Sequence, residues 1–234
     1  METLNTYLVS YGSMSRSTPA TPRPAARTVR ARILDVARVH LFTYGYSALL
    51  MDELARELGM SKKTLYVHFA SKDAIAQALL DDIGRTLRAR LDAVLTHPHF
   101  TFTQKLCGVI DAVGSLLGQL SPAIFRDLQR YAPHLYEKIE EVRQTNIPYV
   151  IGSLIRAGAA EGMVRPEIDP AFAAEFWLQA IRGLIQPAVL DRTRLSPRQT
   201  LEKAIHLFFD GLLTPAGRKD YEKHLAACDK HAPA

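Results

Sequence analysis

A short run of polar side chains around two apolar anchors is the part of this sequence best suited to chemistry. Residues 61–69 read SKKTLYVHF. In a helix, Leu65 and Phe69 fall on one side, and hydroxyl, ammonium and imidazole groups cover the other. That face can bind a polyanion and exchange hydrogen bonds with base edges. Its members are Ser61, Lys62, Lys63, Thr64, Tyr66 and His68. Tyr66 also suits packing against the first helix, and His68 suits either packing or a contact with the nucleic-acid backbone.

Positive charge is concentrated in the first third of the chain. The net charge of the 234 residues is +5, and residues 27–72 contain eight Lys and Arg against four Asp and Glu. Such an excess is expected where a protein meets nucleic acid. A solvated helix surface carries similar charges, so charge by itself leaves both interpretations open.

The elements that must position these groups are helices. Apolar residues recur at spacings of three and four, which predicts helices at 27–44, 51–58, 61–69 and 72–95. Ser61 and Ser71 are the expected N-caps of the third and fourth helices. No run alternates apolar and polar residues as a strand would. The fold class predicted is all-α.

The residues around Gly59 predict a helix-turn-helix. Ala55 is small enough for a second helix to cross closely, and Gly59 can adopt the positive φ that the turn requires. Leu54, Leu58 and Leu65 form a small core with Met60. A helix in the major groove presents its N-terminal side chains to base edges, so we expect residues 61–69 to face DNA.

The stretch GYSALLMDELARELGMSKKTLYVHFASKDAI resembles the TetR family of bacterial transcriptional regulators. The resemblance rests mainly on T-L-Y-x-H-F followed by S-K-D and covers about residues 28–80; beyond them it is one of helix layout and length. It implies that Lys62, Lys63, Thr64 and Tyr66 lie at the DNA surface and that Lys72 holds a phosphate. A helix N-terminus independently favours an anion beside Lys72.

The sequence departs from the family pattern at one position. Family members usually have Ser or Thr as the cap of the second helix, where the side chain also touches the DNA backbone, and this chain has Leu50. This departure weakens the inference of a phosphate contact at that position, and Leu50 is not among the predicted site residues.

The chain is expected to divide into three parts. Residues 1–26 are rich in Ser, Thr and Pro and predict a disordered tail, whose arginines could alternatively form an arm on DNA. Residues 27–72 form the predicted three-helix DNA-binding domain, and residues 73–234 the predicted helical effector-binding and dimerisation domain. Further helices are predicted at 101–119, 122–131, 133–160, 170–190 and 197–213, with a kink at Pro148.

The resemblance implies a homodimer built on the last two predicted helices. Their apolar stripes suit ordinary core, but in the family the matching helices form a four-helix bundle with a second subunit. The interface residues expected are Phe176, Gly183, Leu184, Ile205, Phe208, Gly211 and Leu212.

A small-molecule effector pocket is expected among the helices after the third. Such pockets combine apolar walls with a few polar groups. The candidates are Phe125, Tyr131, His134, Tyr136, Trp177 and Gln179, each of which, taken singly, core packing explains as well. A mostly apolar lining would suit a hydrophobic effector.

The function predicted is sequence-specific transcriptional regulation by a cytoplasmic homodimer, as a repressor that a ligand releases from a palindromic operator. No catalytic residue, metal site, cofactor or membrane segment is predicted. One alternative is a non-specific architectural DNA-binding protein. Another is a helical small-molecule-binding protein or enzyme whose helix-turn-helix is only scaffold; the absence of a nucleophile elbow, phosphate-binding glycine loop or zinc spacing argues against the enzyme.

Overall fold

A computed structural model describes residues 28–121 and 123–228, which form eleven α-helices. The predicted tail lies outside the described residues. The helices are α1 Val29–Tyr44, α2 Met51–Glu57, α3 Lys62–His68, α4 Lys72–Leu95, α5 Phe102–Gly118, α6 Ala123–Tyr131, α7 Pro133–Ala160, α8 Pro170–Leu184, α9 Pro187–Thr193, α10 Pro197–Leu212 and α11 Pro215–Cys228. The all-α prediction is confirmed, and within the described ranges the β-type pairing is one isolated bridge between Val164 and Leu213.

Capping explains where several of these helices begin. The side chain of Ser61 accepts a hydrogen bond from the Thr64 amide, and that of Ser71 accepts one from the Ala74 amide. Ser196 forms a reciprocal capping box with Gln199 at the start of α10. These bonds satisfy amide groups that have no partner within their helix.

Near the C-terminus, one helix prediction was wrong and one helix was missed. The predicted helix 170–190 is divided into α8 and α9, because Pro187 has no amide hydrogen and its preceding residue, Gln186, is extended at φ −75° and ψ 139°. Helix α11 was not predicted. Its start follows Thr214, whose hydroxyl accepts a hydrogen bond of 3.1 Å from the Gly217 amide.

Helices α1 to α3 and the first half of α4 share a small core, and we call this unit the reading head. Leu41, Leu54 and Leu65 are fully buried in it, and Ile75 and Leu79 of α4 are buried as well. Because α4 runs from Lys72 to Leu95, it passes without interruption from the predicted DNA-binding segment into the predicted regulatory segment. It is therefore one continuous rod between the two.

In the rest of the described chain, α7 makes its most extensive contacts with α8 and also packs against α4, α5 and α6, whereas α10 and α11 pack against α5. Pro148 lies inside α7, which continues through it as one helix. Phe102 and Leu106 of α5 and Leu154 of α7 are buried in the core. In the part of the chain that the structure describes, no single helix has the length and apolar character to cross a membrane, and α5 with α6 meets that test only as a bent pair.

Candidate nucleic-acid interface

Helix α3 turns one polar face outward and is held by apolar side chains on the other. Leu65 is fully buried and Phe69 nearly so, whereas Lys62, Lys63 and Thr64 are exposed. Half of the Tyr66 side chain is exposed. The exposed face therefore carries the groups that the sequence predicts to meet DNA, and we call α3 the reading helix.

The polar groups at the start of α3 are ordered by one another. The Ser61 hydroxyl lies 3.0 Å from the Thr64 amide and 2.8 Å from the Thr64 hydroxyl. Lys62 Nζ lies 2.6 Å from a carboxylate oxygen of Asp52 on α2. Both partners of this pair are well exposed, so a DNA phosphate can replace Asp52 at small cost.

The turn between α2 and α3 has the predicted geometry. Gly59 has φ +64°, and the Met60 amide donates a 2.9 Å hydrogen bond to the Ala55 carbonyl. His40 Nε2 of α1 lies 2.7 Å from a carboxylate oxygen of Glu57, which joins α1 to the end of α2. The two short helices are thereby fixed relative to α1.

Arg30 holds the other end of the reading helix. Its guanidinium donates a 3.0 Å hydrogen bond to the His68 carbonyl and lies 4.0 Å from the centre of the Phe69 ring. The His68 side chain itself is half-buried. Sequence analysis missed this role, because nothing in the local sequence connects positions 30 and 68.

Lys72 stands at the N-terminus of α4, as predicted, and is half-buried. Its Nζ lies 4.2 Å from the centre of the Tyr46 ring. The Tyr46 hydroxyl donates to the Asp73 carboxylate, and burial together with this bond raises the pKa of Tyr46 far above its usual range. Leu50, where the sequence departs from the family pattern, is exposed and makes no side-chain capping bond.

Comparison with known proteins agrees with this geometry. Residues 33–79, from within α1 into α4, match the sequence profile of a family described as "Bacterial regulatory proteins, tetR family". The segment that carries the reading helix is a DNA-binding domain of the TetR family. The protein is accordingly a sequence-specific DNA-binding regulator of transcription.

Known regulators of transcription are similar to this chain over most of its length. The HTH-type transcriptional regulator UidR of Escherichia coli K12 is 25% identical over 192 residues, which cover 81% of this chain and 95% of UidR. The HTH-type transcriptional repressor DhaR of Mycobacterium sp. GP1 is 24% identical over 198 residues, or 80% and 94% of the two chains. A TetR transcriptional regulator from Legionella pneumophila has the same fold, with a TM-score of 0.61 at 16% identity over 80% of this chain and 98% of that one.

The six predicted effector residues differ in their exposure. Phe125 and Trp177 are buried and Tyr136 is half-buried, whereas Tyr131 and Gln179 are exposed. His134 is exposed too, and its Nε2 lies 3.4 Å from the Asp73 carboxylate, which places it against the reading head. Surface clefts of about 320 and 480 Å³ occur beside α11 and between α9 and α10, and none of the six residues lines either cleft.

A polar network that sequence analysis missed joins α6, α7 and α8. Gln186 Nε2 donates to the Tyr136 hydroxyl at 3.1 Å, and Gln129 Nε2 donates to Gln186 Oε1 at 2.8 Å. Glu140 pairs with both Arg143 and Arg182, the latter at 2.8 Å. The sequence did offer one signal: Glu140, Arg143 and Arg182 are charged residues with apolar residues close by on the same helices.

The predicted dimer residues divide between surface and core. Ile205, Phe208 and Leu212 are buried within the single chain, and Leu184 is half-buried. Phe176, Gly183 and Gly211 are exposed, as are Phe172 and Leu207, whose exposed fractions are 71% and 80%. Helical spacing puts Phe172, Phe176 and Gly183 on one side of α8, and Leu207 and Gly211 on one side of α10. We call these five residues the C-terminal exposed face. The rings of Phe176 and Phe208 lie 6.0 Å apart, which connects this face on α8 with α10.

Proposed function

We propose that the protein is a ligand-released repressor that binds a palindromic operator as a homodimer. The observation that carries the proposal is the exposed polar face of the reading helix on a rigid helix-turn-helix. Lys62, Lys63 and Thr64 read base edges in the major groove, and Tyr66 and Lys72 bind phosphates. His68, through its half-buried ring, supports the end of the reading helix.

The C-terminal exposed face supports the dimer. Phe172, Phe176 and Leu207 form an apolar surface that a second subunit would remove from water, and a Cβ placed on Gly183 or Gly211 would meet nothing within 4 Å in the single chain. TetR-family regulators bind DNA as dimers. A reading helix of seven residues touches few bases, so two copies on successive major grooves are needed for a specific operator.

Helix α6 is the proposed connection between effector and DNA. Its Gln129 belongs to the polar network with α7 and α8, and its Asp127 carboxylate accepts hydrogen bonds from the Ser47 amide at 2.9 Å and the Ser47 hydroxyl at 2.5 Å. Just before α6, the Ser121 amide donates to the Phe42 carbonyl of α1 at 2.9 Å. A shift of α6 therefore reaches the reading head directly.

An effector releases the operator only if it binds one arrangement of α6 more tightly than the other. Phe125, Tyr136 and Trp177 are the predicted pocket residues that lie between helices, so an effector would enter near them. Their aromatic rings favour a partly apolar small molecule with a polar group that replaces a member of the network.

The test is selection of bound duplexes from a random DNA pool at about 150 mM salt, because affinity falls steeply with ionic strength. We expect enrichment of an inverted repeat, with binding lost in Lys63→Ala and retained in Lys219→Ala, which removes an exposed lysine from α11. Binding to all duplexes alike would instead identify an architectural DNA-binding protein. Enrichment of a single half-site would contradict the dimer.

A further inference from the structure

Val67 is an exposed apolar side chain on the reading helix, whose exposed face is otherwise polar. It lies in the last turn of the reading helix, and 76% of its side chain is exposed. The two other large apolar residues of this segment, Leu65 and Phe69, are buried. Val67 therefore contributes nothing to the core that holds the reading helix, and its side chain points into the space where DNA is expected.

The helical spacing places Val67 in the middle of the reading surface. It follows Lys63 by four residues, so the two side chains are neighbours on one face, with Tyr66 beside them. Both ends of the helix are fixed, by the Ser61 cap and by the hydrogen bond from Arg30 to the His68 carbonyl. The valine side chain is β-branched and has one strongly preferred rotamer in a helix, so its two methyl groups are held in place.

In the major groove, the group that complements a fixed apolar side chain is the methyl group of thymine. The edges of guanine, adenine and cytosine present hydrogen-bond donors and acceptors there, and thymine adds the C5 methyl group. Valine cannot satisfy a donor or acceptor, but it can remove a methyl group from water. The lysines beside it keep the surface complementary to the phosphates on either side of the groove.

We propose that Val67 is a specificity-determining residue that contacts the 5-methyl group of a thymine in the operator. The proposal rests on the proposed function, since it requires α3 to lie in the major groove. Beyond the proposed function, it assigns to Val67 a preference for thymine over cytosine that does not depend on a hydrogen bond.

The experiment uses the full-length protein and the inverted repeat obtained by selection. Each thymine in one half-site, and its symmetry mate, is replaced in turn by deoxyuridine, which keeps base pairing and removes only the methyl group. The dissociation constant of each duplex is measured for wild type, Val67→Ala and Val39→Ala. Val39 is the matched control, because it is also an exposed valine, at 58%, but lies on α1.

For wild type we expect one thymine position at which deoxyuridine weakens binding about fourfold per half-site, as burial of one methyl group implies. Val67→Ala should bind the thymine duplex several-fold more weakly and lose that fourfold difference, whereas Val39→Ala should keep it. An unchanged melting temperature of Val67→Ala would show that the fold is intact, as its exposure requires.

Two results would overturn the assignment while leaving the regulator in place. One is selective operator binding without any position sensitive to deoxyuridine. The other is a fourfold sensitivity that persists in Val67→Ala, since another side chain would then contact the methyl group. If wild type enriches no sequence, the proposed function fails and the role of Val67 fails with it.

Discussion

Replacing Gly45 with alanine tests how closely the reading head is fitted to α6. Gly45 has φ +90° and ψ 177°, a conformation that is essentially restricted to glycine. A Cβ at this position would lie 2.6 Å from a carboxylate oxygen of Asp127. Asp127 can move away only by giving up its hydrogen bonds to Ser47. The substitution therefore combines backbone strain with the loss of a contact between two parts of the chain.

The expected cost is about 3 kcal/mol in the free energy of unfolding. Backbone strain contributes about 1–3 kcal/mol, and displacement of Asp127 from partly exposed hydrogen bonds adds about 1 kcal/mol. For a chain of this size, each kcal/mol lowers the melting temperature by about 2–4 °C, so we expect a fall of about 6–12 °C.

Thermal unfolding of two glycine variants measures this effect against an internal control. Gly59 also has a positive φ, but a Cβ there would meet nothing within 4 Å, so Gly59→Ala should cost only about 1 kcal/mol. Asp127→Ala should remove part of the penalty of Gly45→Ala, because both changes disrupt the same contact. Equal losses in Gly45→Ala and Gly59→Ala, or full additivity with Asp127→Ala, would refute the reasoning.

Other parts of the structure lead to four further predictions. Arg30→Ala should destabilise the reading head by about 1 kcal/mol, measured by thermal unfolding, because the last carbonyl of α3 loses its donor; an unchanged melting temperature would contradict this. Lys72→Ala should lower the slope of log affinity against log salt concentration by about 2, because each subunit of the proposed dimer loses one phosphate contact. Leu207→Asp should yield a monomer in sedimentation analysis, whereas Val39→Asp, at an exposed valine of α1, should remain a dimer. Burial raises the pKa of Tyr221 from an ordinary 10.0 to about 12, so its contribution to stability is complete below pH 10 and is lost as pH rises towards 12; chemical denaturation should show a smaller loss over this interval in Tyr221→Phe.

The reading helix was predictable because its signals are local. Ser61 precedes the helix it caps, Gly59 occupies the turn it permits, and Leu65 and Phe69 repeat at the helical period. The same rules explain the helices that were missed. Pro187 is the first residue of α9 as Pro170 is of α8, and Thr214-Pro215 repeats the Ser196-Pro197 start of α10, so those boundaries were present in the sequence but were not used.

The contacts between distant segments were not predictable in this way. Arg30 approaches His68 across 38 positions, and Ser47 approaches Asp127 across 80, and no periodicity connects them. The effector residues were chosen by chemical type alone. Trp177 and Gln179 are two positions apart on α8, which is enough to turn one inward and the other towards solvent.

The hydrogen bonds between Asp127 and Ser47 also determine which residues must be transferred together when the DNA-binding part is joined to another regulator. A chimera that joined this reading head to a foreign sensor in the middle of α4 would leave the amide and hydroxyl of Ser47 without the Asp127 carboxylate and the Phe42 carbonyl without the Ser121 amide. Ser47 and Phe42 lie in the reading head, but their hydrogen-bond partners, Asp127 and Ser121, lie in α6 and just before it. The smallest transferable unit is thus discontinuous, and a graft that preserved signalling would have to carry residues 121–127 together with the helix-turn-helix.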